Sequence, residues 1–111
     1  MDGANDRGRS EVELPLFAGA DPVAVIDGDL AAWRKVCELA VCEPKIRRHE
    51  RTLRGLGRDL RALRDCYVAA RHPKVRAELL REAGAVSRRM RSKVRRLGFP
   101  GLDIRVVTDA A

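Results

Sequence analysis

The chain has 111 residues, 45% of them hydrophobic and 35% charged, and its net charge is +7 at pH 7. This length allows one small domain, and no apolar stretch approaches the roughly 20 residues that a membrane-spanning helix needs. The acidic N-terminal residues do not resemble a signal peptide, so we expect a soluble, intracellular protein that is not secreted.

The positive charge is concentrated in one part of the chain. Residues 30–100 hold twenty Lys or Arg against seven Asp or Glu, whereas residues 1–29 hold two against seven. This excess favours a polyanionic partner, with nucleic acid as the first interpretation. The alternative is that the arginines only solvate helix faces. A membrane surface is disfavoured, because the basic segments lack a broad apolar face.

The chain has three cysteines, Cys37, Cys42 and Cys66. This odd number is consistent with a reducing compartment and with the absence of a disulfide framework. We expect them to be small buried hydrophobic residues. A zinc site that combines them with His49 or His72 is the alternative. It is disfavoured because Cys37 and Cys42 lie five residues apart, on different faces of a predicted helix. We therefore expect no metal and no cofactor.

Residues 1–26 are predicted to form a disordered or extended N-terminal arm. The first thirteen are polar and without periodicity, and the following apolar stretch is interrupted by Pro15, Gly19 and Pro22. A short strand or turn is expected over Val23–Ile26. Asp27 and Asp29 then precede an apolar-periodic run, a position where a carboxylate caps a helix.

Residues 27–100 are predicted to form a helical domain. Its first helix should run from about Leu30 to Val41, and Pro44 either kinks this helix or begins a second one. A basic helix follows from Lys45 to about Leu56, which Gly55 and Gly57 end or weaken. The first helix should bury one face: Leu30, Trp33, Val36, Cys37 and Ala40.

Residues 58–71 have helical spacing of apolar residues, although Cys66–Val68 also fits the start of a strand; we favour helix. The last predicted helix runs from Pro73, a suitable first residue, to Leu97, after which Gly98 provides a C-terminal cap and Pro100 forbids continuation. The His72 ring is expected to lie over its N-terminus. A narrow apolar stripe for oligomerisation or core packing is predicted along it: Val75, Leu79, Ala83, Val86, Met90, Val94 and Leu97.

Residues 101–111 are predicted to form a tail with a possible short strand, because apolar and charged residues alternate from Leu102 to Val107. The predicted fold class is all-α. We expect a helical hairpin or bundle with a long C-terminal helix, short extended segments at both ends, and an oligomeric assembly.

The only functional signal in the sequence is electrostatic, and it comes from two arginine clusters. Guanidinium groups at helical spacing suit bidentate phosphate contacts. Few Asn or Gln accompany them, which favours contacts to the nucleic-acid backbone over base readout. The candidate nucleic-acid-binding residues are Arg47, Arg48, Arg51, Arg54, Arg58 and Arg61. The second cluster lies where a helix dipole also favours cations: Arg88, Arg89, Arg91, Lys93, Arg95 and Arg96.

No catalytic constellation is visible, and we expect no enzyme activity. Gly55-x-Gly57 lacks the third glycine and the preceding strand of a phosphate-binding loop. Ser10, Ser87 and Ser92 lack the context of a nucleophile elbow.

Three segments in chain order resemble those of a known family. They are the run Asp27-x-Asp29-Leu30-Ala31-Ala32-Trp33, the basic segment from Lys45 to Gly57, and a long helix that starts at His72-Pro73-Lys74-Val75 and ends at Leu97-Gly98-Phe99. Together they resemble phage terminase small subunits of the short, coiled-coil-rich kind.

This resemblance implies a non-enzymatic DNA-binding subunit that recognises viral DNA and assists the large terminase subunit in genome packaging. It implies a homo-oligomer, a ring, in the host cytoplasm. Under it, the apolar stripe from Val75 to Leu97 would form hairpin or subunit contacts, and the arginines of residues 47–61 would contact DNA.

Residues 47–57 are also similar to the basic helix of the double-stranded-RNA-binding domain of the influenza nonstructural protein. We interpret this as convergence on an arginine-rich, phosphate-facing helix. Two alternatives to a terminase subunit stay open: a helical protein-interaction or scaffold module, and a small DNA- or double-stranded-RNA-binding regulator.

Overall fold

The computed structural model describes residues 21–99 and 103–107, which form four helices and no strand. The helices are α1 (Pro22–Cys42), α2 (Pro44–Arg47), α3 (Glu50–Ala69) and α4 (Pro73–Leu97). The predicted all-α class is confirmed. Within this part of the chain, no helix has both the length and the apolar character needed to cross a membrane.

Helix α1 begins at Pro22, well before the predicted Leu30, so the strand or turn expected over Val23–Ile26 is wrong. The Asp21 carboxylate accepts a hydrogen bond from the Val23 N–H at 3.0 Å, and Pro22 occupies the first helical position. Asp21-Pro22 thus combines a side-chain acceptor before the helix with proline at its first position, the same combination as His72-Pro73 at the start of α4. The rest of the predicted arm, residues 1–20, lies outside the described residues.

Pro44 begins a second helix, as one of the two alternatives predicted. Glu43 is extended between α1 and α2, and its carboxylate accepts from the Lys45 N–H at 3.4 Å. Helix α2 ends at Arg47, and a turn precedes α3. The expectation of one helix from Lys45 to Leu56 is therefore wrong.

Helix α3 continues through both of its glycines, so the expectation that Gly55 or Gly57 ends a helix is wrong. The favoured helical interpretation of residues 58–71 is confirmed as far as Ala69, and the strand alternative at Cys66–Val68 is wrong. Burial of one face overcomes the low helix propensity of glycine. That face is formed by Leu53, Leu56, Leu60 and Tyr67.

Helix α4 has the predicted bounds. At its start, His72 Nδ1 accepts a hydrogen bond from the Lys74 N–H at 3.1 Å, which confirms the expected position of the His72 ring. At its end, Gly98 adopts a left-handed φ of 76° and donates its N–H to the carbonyls of Val94 and Arg95. Pro100, the predicted stop signal, lies outside the described residues.

An arginine outside the predicted clusters joins α3 to α4. The Arg76 guanidinium donates to the carbonyls of Tyr67 and Ala70, both at 2.9 Å, and lies 4.0 Å from the centre of the Tyr67 ring. Arg76 therefore satisfies carbonyls at the end of α3 that have no partner within the helix.

The core is formed mainly where α1, α3 and α4 meet. The predicted face of α1 is confirmed: Trp33, Val36 and Ala40 are buried, and Leu30 and Cys37 pack against them. Four residues of the predicted α4 stripe are buried within the single chain: Ala83, Val86, Met90 and Val94. Two more pack at the margin, Leu79 and Leu97, whereas Val75 is 48% exposed.

Residues 103–107 form no strand; they lie against the helices with Ile104 and Val107 buried. Gly84 permits this approach, because a Cβ there would meet the Val107 carbonyl oxygen at 2.7 Å. Val106 has a positive φ of 66°, a conformation that a β-branched residue rarely adopts. Contacts with the helices thus hold this segment. The predicted strand does not form, and the described residues contain no strand with which it could pair.

Asp29 anchors this segment and does not cap α1. It is fully buried inside the helix, and its carboxylate accepts from the Arg105 N–H at 2.8 Å and from the Ser87 hydroxyl at 3.1 Å. Burial raises the pKa of Asp29, and these hydrogen bonds partly oppose the rise. One carboxylate therefore connects α1, α4 and residues 103–107.

Candidate nucleic-acid interface

A groove of about 770 Å³ runs between α1 and α3. Its floor includes Leu30, Trp33 and Cys37 of α1 and Gly57 of α3. Five arginines line it, one from α1 and four from α3: Arg34, Arg54, Arg58, Arg61 and Arg64. Two carboxylates, Asp27 and Asp65, also line it, so positive charge predominates.

The contact between Trp33 and Gly57 sets the distance between the two walls. The Trp33 indole is 2% exposed, and its Nε1–H donates to the Leu53 carbonyl oxygen at 2.6 Å. A Cβ on residue 57 would lie 3.0 Å from Trp33 Cδ1. A side chain at this position would be tight against the indole, so Gly57 has a packing role that its helix propensity does not indicate.

Two of the lining arginines are held by carboxylates. Arg64 Nε donates to Asp27 Oδ1 at 3.0 Å, and its Nη1 donates to Asp65 Oδ1 at 3.3 Å. Arg54 Nε donates to Glu50 Oε2 at 2.7 Å. These hydrogen bonds raise the pKa of both guanidinium groups. The Arg64–Asp27 pair connects α3 to α1, so Arg64 contributes to the groove's structure.

The other three lining arginines are exposed and available to a ligand. Among the described residues, Arg34, Arg58 and Arg61 have no ion-pair partner. They lie at the rim of a groove whose floor is partly apolar. An anionic group with several oxygens, such as a phosphate, would match their planar donors.

Four of the six predicted nucleic-acid-binding residues share one exposed face of α3: Arg51, Arg54, Arg58 and Arg61. The last three also line the groove. Arg47 ends α2 and Arg48 lies in the turn that follows; both are exposed, and neither lines the groove.

Sequence reasoning missed two arginines of the groove. Arg64 continues the series of three- and four-residue steps that includes Arg54, Arg58 and Arg61, so the same signal could have found it. Arg34 lies on α1, and its proximity to the α3 arginines depends on how the helices pack. No pattern along the chain indicates that.

The cysteines differ from expectation. Cys42 and Cys66 are exposed, so their predicted burial is wrong, and only Cys37 is partly buried. Burial raises the pKa of the Cys37 thiol, and the charge of Arg54 partly opposes this. Within residues 21–99 and 103–107, no group of three or more His, Cys, Asp or Glu side chains is placed to hold a metal ion.

The second predicted cluster lies on the C-terminal half of α4. Arg88, Arg89, Arg91, Arg95 and Arg96 are exposed, whereas Lys93 is half-buried. None of these six side chains forms an ion pair with a described residue. The fold therefore carries a second basic surface in addition to the groove.

No family model, curated protein or solved structure matches the chain.

Proposed function

We propose that this chain is a non-enzymatic DNA-binding protein whose α3 arginines and α1–α3 groove contact the phosphate backbone. The observation that carries the proposal is the grouping of Arg34, Arg58 and Arg61, exposed and without carboxylate partners among the described residues, around one groove. Uncompensated guanidinium groups at such spacing release counterions from DNA when they bind phosphates.

Recognition of this kind is dominated by the backbone. The chain has a single Asn and no Gln, the side chains that read adenine, whereas arginine is abundant. Affinity should therefore depend strongly on salt and weakly on base sequence.

Within this class, we propose a phage terminase small subunit that works with the large terminase subunit in genome packaging in the host cytoplasm. Its support is the sequence resemblance, together with the Pro73–Leu97 helix and its glycine cap. The short connection at residues 70–72 supports a helical hairpin of α3 and α4. Homo-oligomerisation, as a ring, is the further part of this proposal. Exposed apolar side chains that could meet a second subunit are Leu39, Val41, Val68 and Val75.

The DNA-binding proposal is tested by titrating a fluorescent duplex at several salt concentrations. Replacement of Arg34, Arg58 and Arg61 by Gln should weaken binding to all sequences alike, and each lost phosphate contact should reduce the salt slope by about 1. A charge-matched control replaces Lys35, Arg71 and Lys74, exposed residues outside the groove, by Gln. Salt-independent binding, or an equal loss in the control, would contradict the proposal.

The assembly part is tested separately by light scattering of the full chain. A terminase small subunit should give a multimer, and replacement of Val68 and Val75 by Ser should reduce its mass if these residues lie at the subunit contact. A monomer at every concentration would contradict the ring but would leave DNA binding intact. A scaffold module, the alternative, should bind an acidic protein and pass unretained through a heparin column.

A further inference from the structure

The basic surface of α4 differs from the groove in its position on the fold. We define the α4 basic surface by four exposed arginines with no ion pair to a described residue: Arg88, Arg89, Arg95 and Arg96. Arg91 is left out, because its charge acts on Asp29. No acidic residue occurs between Ala83 and Leu97, so this half of the helix is uniformly positive.

Helix geometry places this surface away from the core. The buried residues of α4 recur at steps of three and four: Ala83, Ser87, Met90 and Val94. Each successive residue turns the side-chain direction by about 100°, so Arg88 and Arg89, and likewise Arg95 and Arg96, turn towards solvent.

The α3 arginines face the opposite way. On α3, Arg51 and Arg58 alternate with buried Leu53, Leu56 and Leu60, and they project from the side opposite these leucines. Helices α3 and α4 pack against each other, and the buried apolar residues of both belong to one core cluster. The two basic surfaces therefore point away from each other across the pair, separated by roughly 20 Å, about two helix diameters. A straight duplex can lie against only one of them.

The chemistry of the α4 basic surface favours phosphate over a protein partner. Protein interfaces have an apolar core, and no large apolar side chain is exposed between residues 88 and 96. The described large apolar residues that are exposed lie on other elements or at the start of α4: Leu39, Val41, Val68 and Val75.

A duplex fits both surfaces better than a single strand. Single-strand binding uses exposed aromatic rings on which bases stack. The aromatic residues of the described part of the chain, Trp33, Tyr67 and Phe99, are all buried. The described surfaces thus offer guanidinium groups for phosphates and no platform for unpaired bases.

From these observations we infer that each chain holds two duplex segments at once, one on the α3 arginines and groove and one on the α4 basic surface. This inference rests on the proposed DNA-binding function and adds to it a bridging activity. Two weak backbone contacts on one rigid scaffold would bring distant segments of DNA together, because binding of one raises the effective concentration of the other.

The test measures whether the chain, when bound to one duplex, captures a second duplex from solution. A biotinylated duplex is immobilised, the full chain is added, and the retention of a second, fluorescent duplex is measured. Three variants with equal charge loss are compared: the α4 variant (Arg88, Arg89 and Arg96 to Gln), the α3 variant (Arg51, Arg58 and Arg61 to Gln) and the control (Lys35, Arg71 and Lys74 to Gln). Circular dichroism and thermal unfolding verify that each variant keeps the fold.

We expect the wild-type chain and the control to retain the second duplex. The α3 and α4 variants should still bind one duplex in solution, but retain the second at no more than about a tenth of the wild-type level. Full retention by the α4 variant would overturn the inference, and would assign the α4 basic surface to another anionic partner, such as an acidic protein. An equal loss in the control would also overturn it.

The two proposals fail differently. If the wild-type chain binds a duplex but captures no second one, bridging is wrong and DNA binding stands. If it binds no duplex at any salt concentration, the proposed function itself is wrong.

Discussion

Two glycines of α3, two residues apart, have opposite surroundings. A Cβ on Gly55 would meet only the end of the Arg58 side chain, at 3.9 Å, whereas a Cβ on Gly57 would press on the buried Trp33 ring at 3.0 Å. The first site is open and the second is filled by a side chain from another helix.

We therefore predict different effects of Gly→Ala at the two sites. Gly55→Ala should raise the free energy of unfolding by up to about 1 kcal/mol through helix propensity. Gly57→Ala should not show that gain, because the new Cβ would lie 3.0 Å from the buried Trp33 ring, which must move to accommodate it. Urea unfolding followed by the fluorescence of Trp33, the single tryptophan, measures both. Equal stabilisation by the two substitutions would show that Trp33 does not depend on Gly57.

Asp29 makes stability depend on pH. Its pKa lies above the ordinary value of 3.8, chiefly because burial disfavours the charged form. Between 3.8 and the raised pKa, the unfolded chain has lost this proton and the folded chain still holds it. The contribution of Asp29 to stability therefore falls as the pH rises through this window and is constant above it.

We predict that Asp29→Asn removes this dependence. The difference in free energy of unfolding between wild type and variant should shift in favour of the variant as the pH rises from 3.8, and then level off. Asp29→Ala serves as the contrast: it leaves the Ser87 hydroxyl and the Arg105 N–H without their acceptor, at a cost of about 1–3 kcal/mol each. A pH-independent difference for Asp29→Asn would contradict the prediction.

Residues 103–107 are held by helices and not by a strand. Gly84 of α4 lets the Val107 backbone approach, Asp29 of α1 accepts the Arg105 N–H, and Ile104 and Val107 are buried. The α1 and α4 helices are thus connected through a segment that lies far from α1 in sequence.

We predict that Gly84→Ala destabilises the protein although it raises helix propensity. The new Cβ would meet the Val107 carbonyl oxygen at 2.7 Å, so residues 103–107 must move away and expose Ile104 and Val107. Gly28→Ala is the matched control, because no atom lies within 4 Å of its Cβ position in α1. Thermal unfolding should show a lower Tm for Gly84→Ala and an unchanged or higher Tm for Gly28→Ala. Faster proteolysis of the C-terminal residues in Gly84→Ala alone would accompany this.

The arginines differ in role according to where the packed helices place them. Arg64 and Arg76 hold elements together through Asp27 and through the carbonyls at the end of α3. Arg34, Arg58 and Arg61 surround the groove, and the α4 basic surface lies on the other side of the α3–α4 pair. A high content of arginine thus serves packing at some sites and leaves charge available at others.

The reactivity of the three cysteine thiols depends on whether the protein is folded. In the native protein we predict fast reaction of Cys42 and Cys66 with a thiol reagent and slow reaction of Cys37, because Cys37 is partly buried and its pKa is raised. Unfolding in urea should make all three react alike. Fast reaction of Cys37 in the native state would contradict the packing of α1 on α3.

Local patterns in the amino-acid sequence are enough to predict α4, the buried face of α1 and the arginine series of α3. Capping residues and hydrophobic periodicity act within one or two turns, so Pro73, Gly98 and the leucines of α3 predict their helices locally. The same local logic would have placed the start of α1 at Pro22 had Asp21-Pro22 been interpreted like His72-Pro73.

Packing between helices, by contrast, sets the roles of Asp29, Gly57 and Gly84, and it places Arg34 beside the α3 arginines. Each depends on a contact with a residue of another element, and the free energy of that contact comes from burial and close packing between elements. Local propensity predicts a cap at Asp29 and helix breaks at the glycines of α3. Packing instead makes Asp29 the anchor of residues 103–107. It brings Gly57 against Trp33 of α1 and Gly84 against the backbone of Val107.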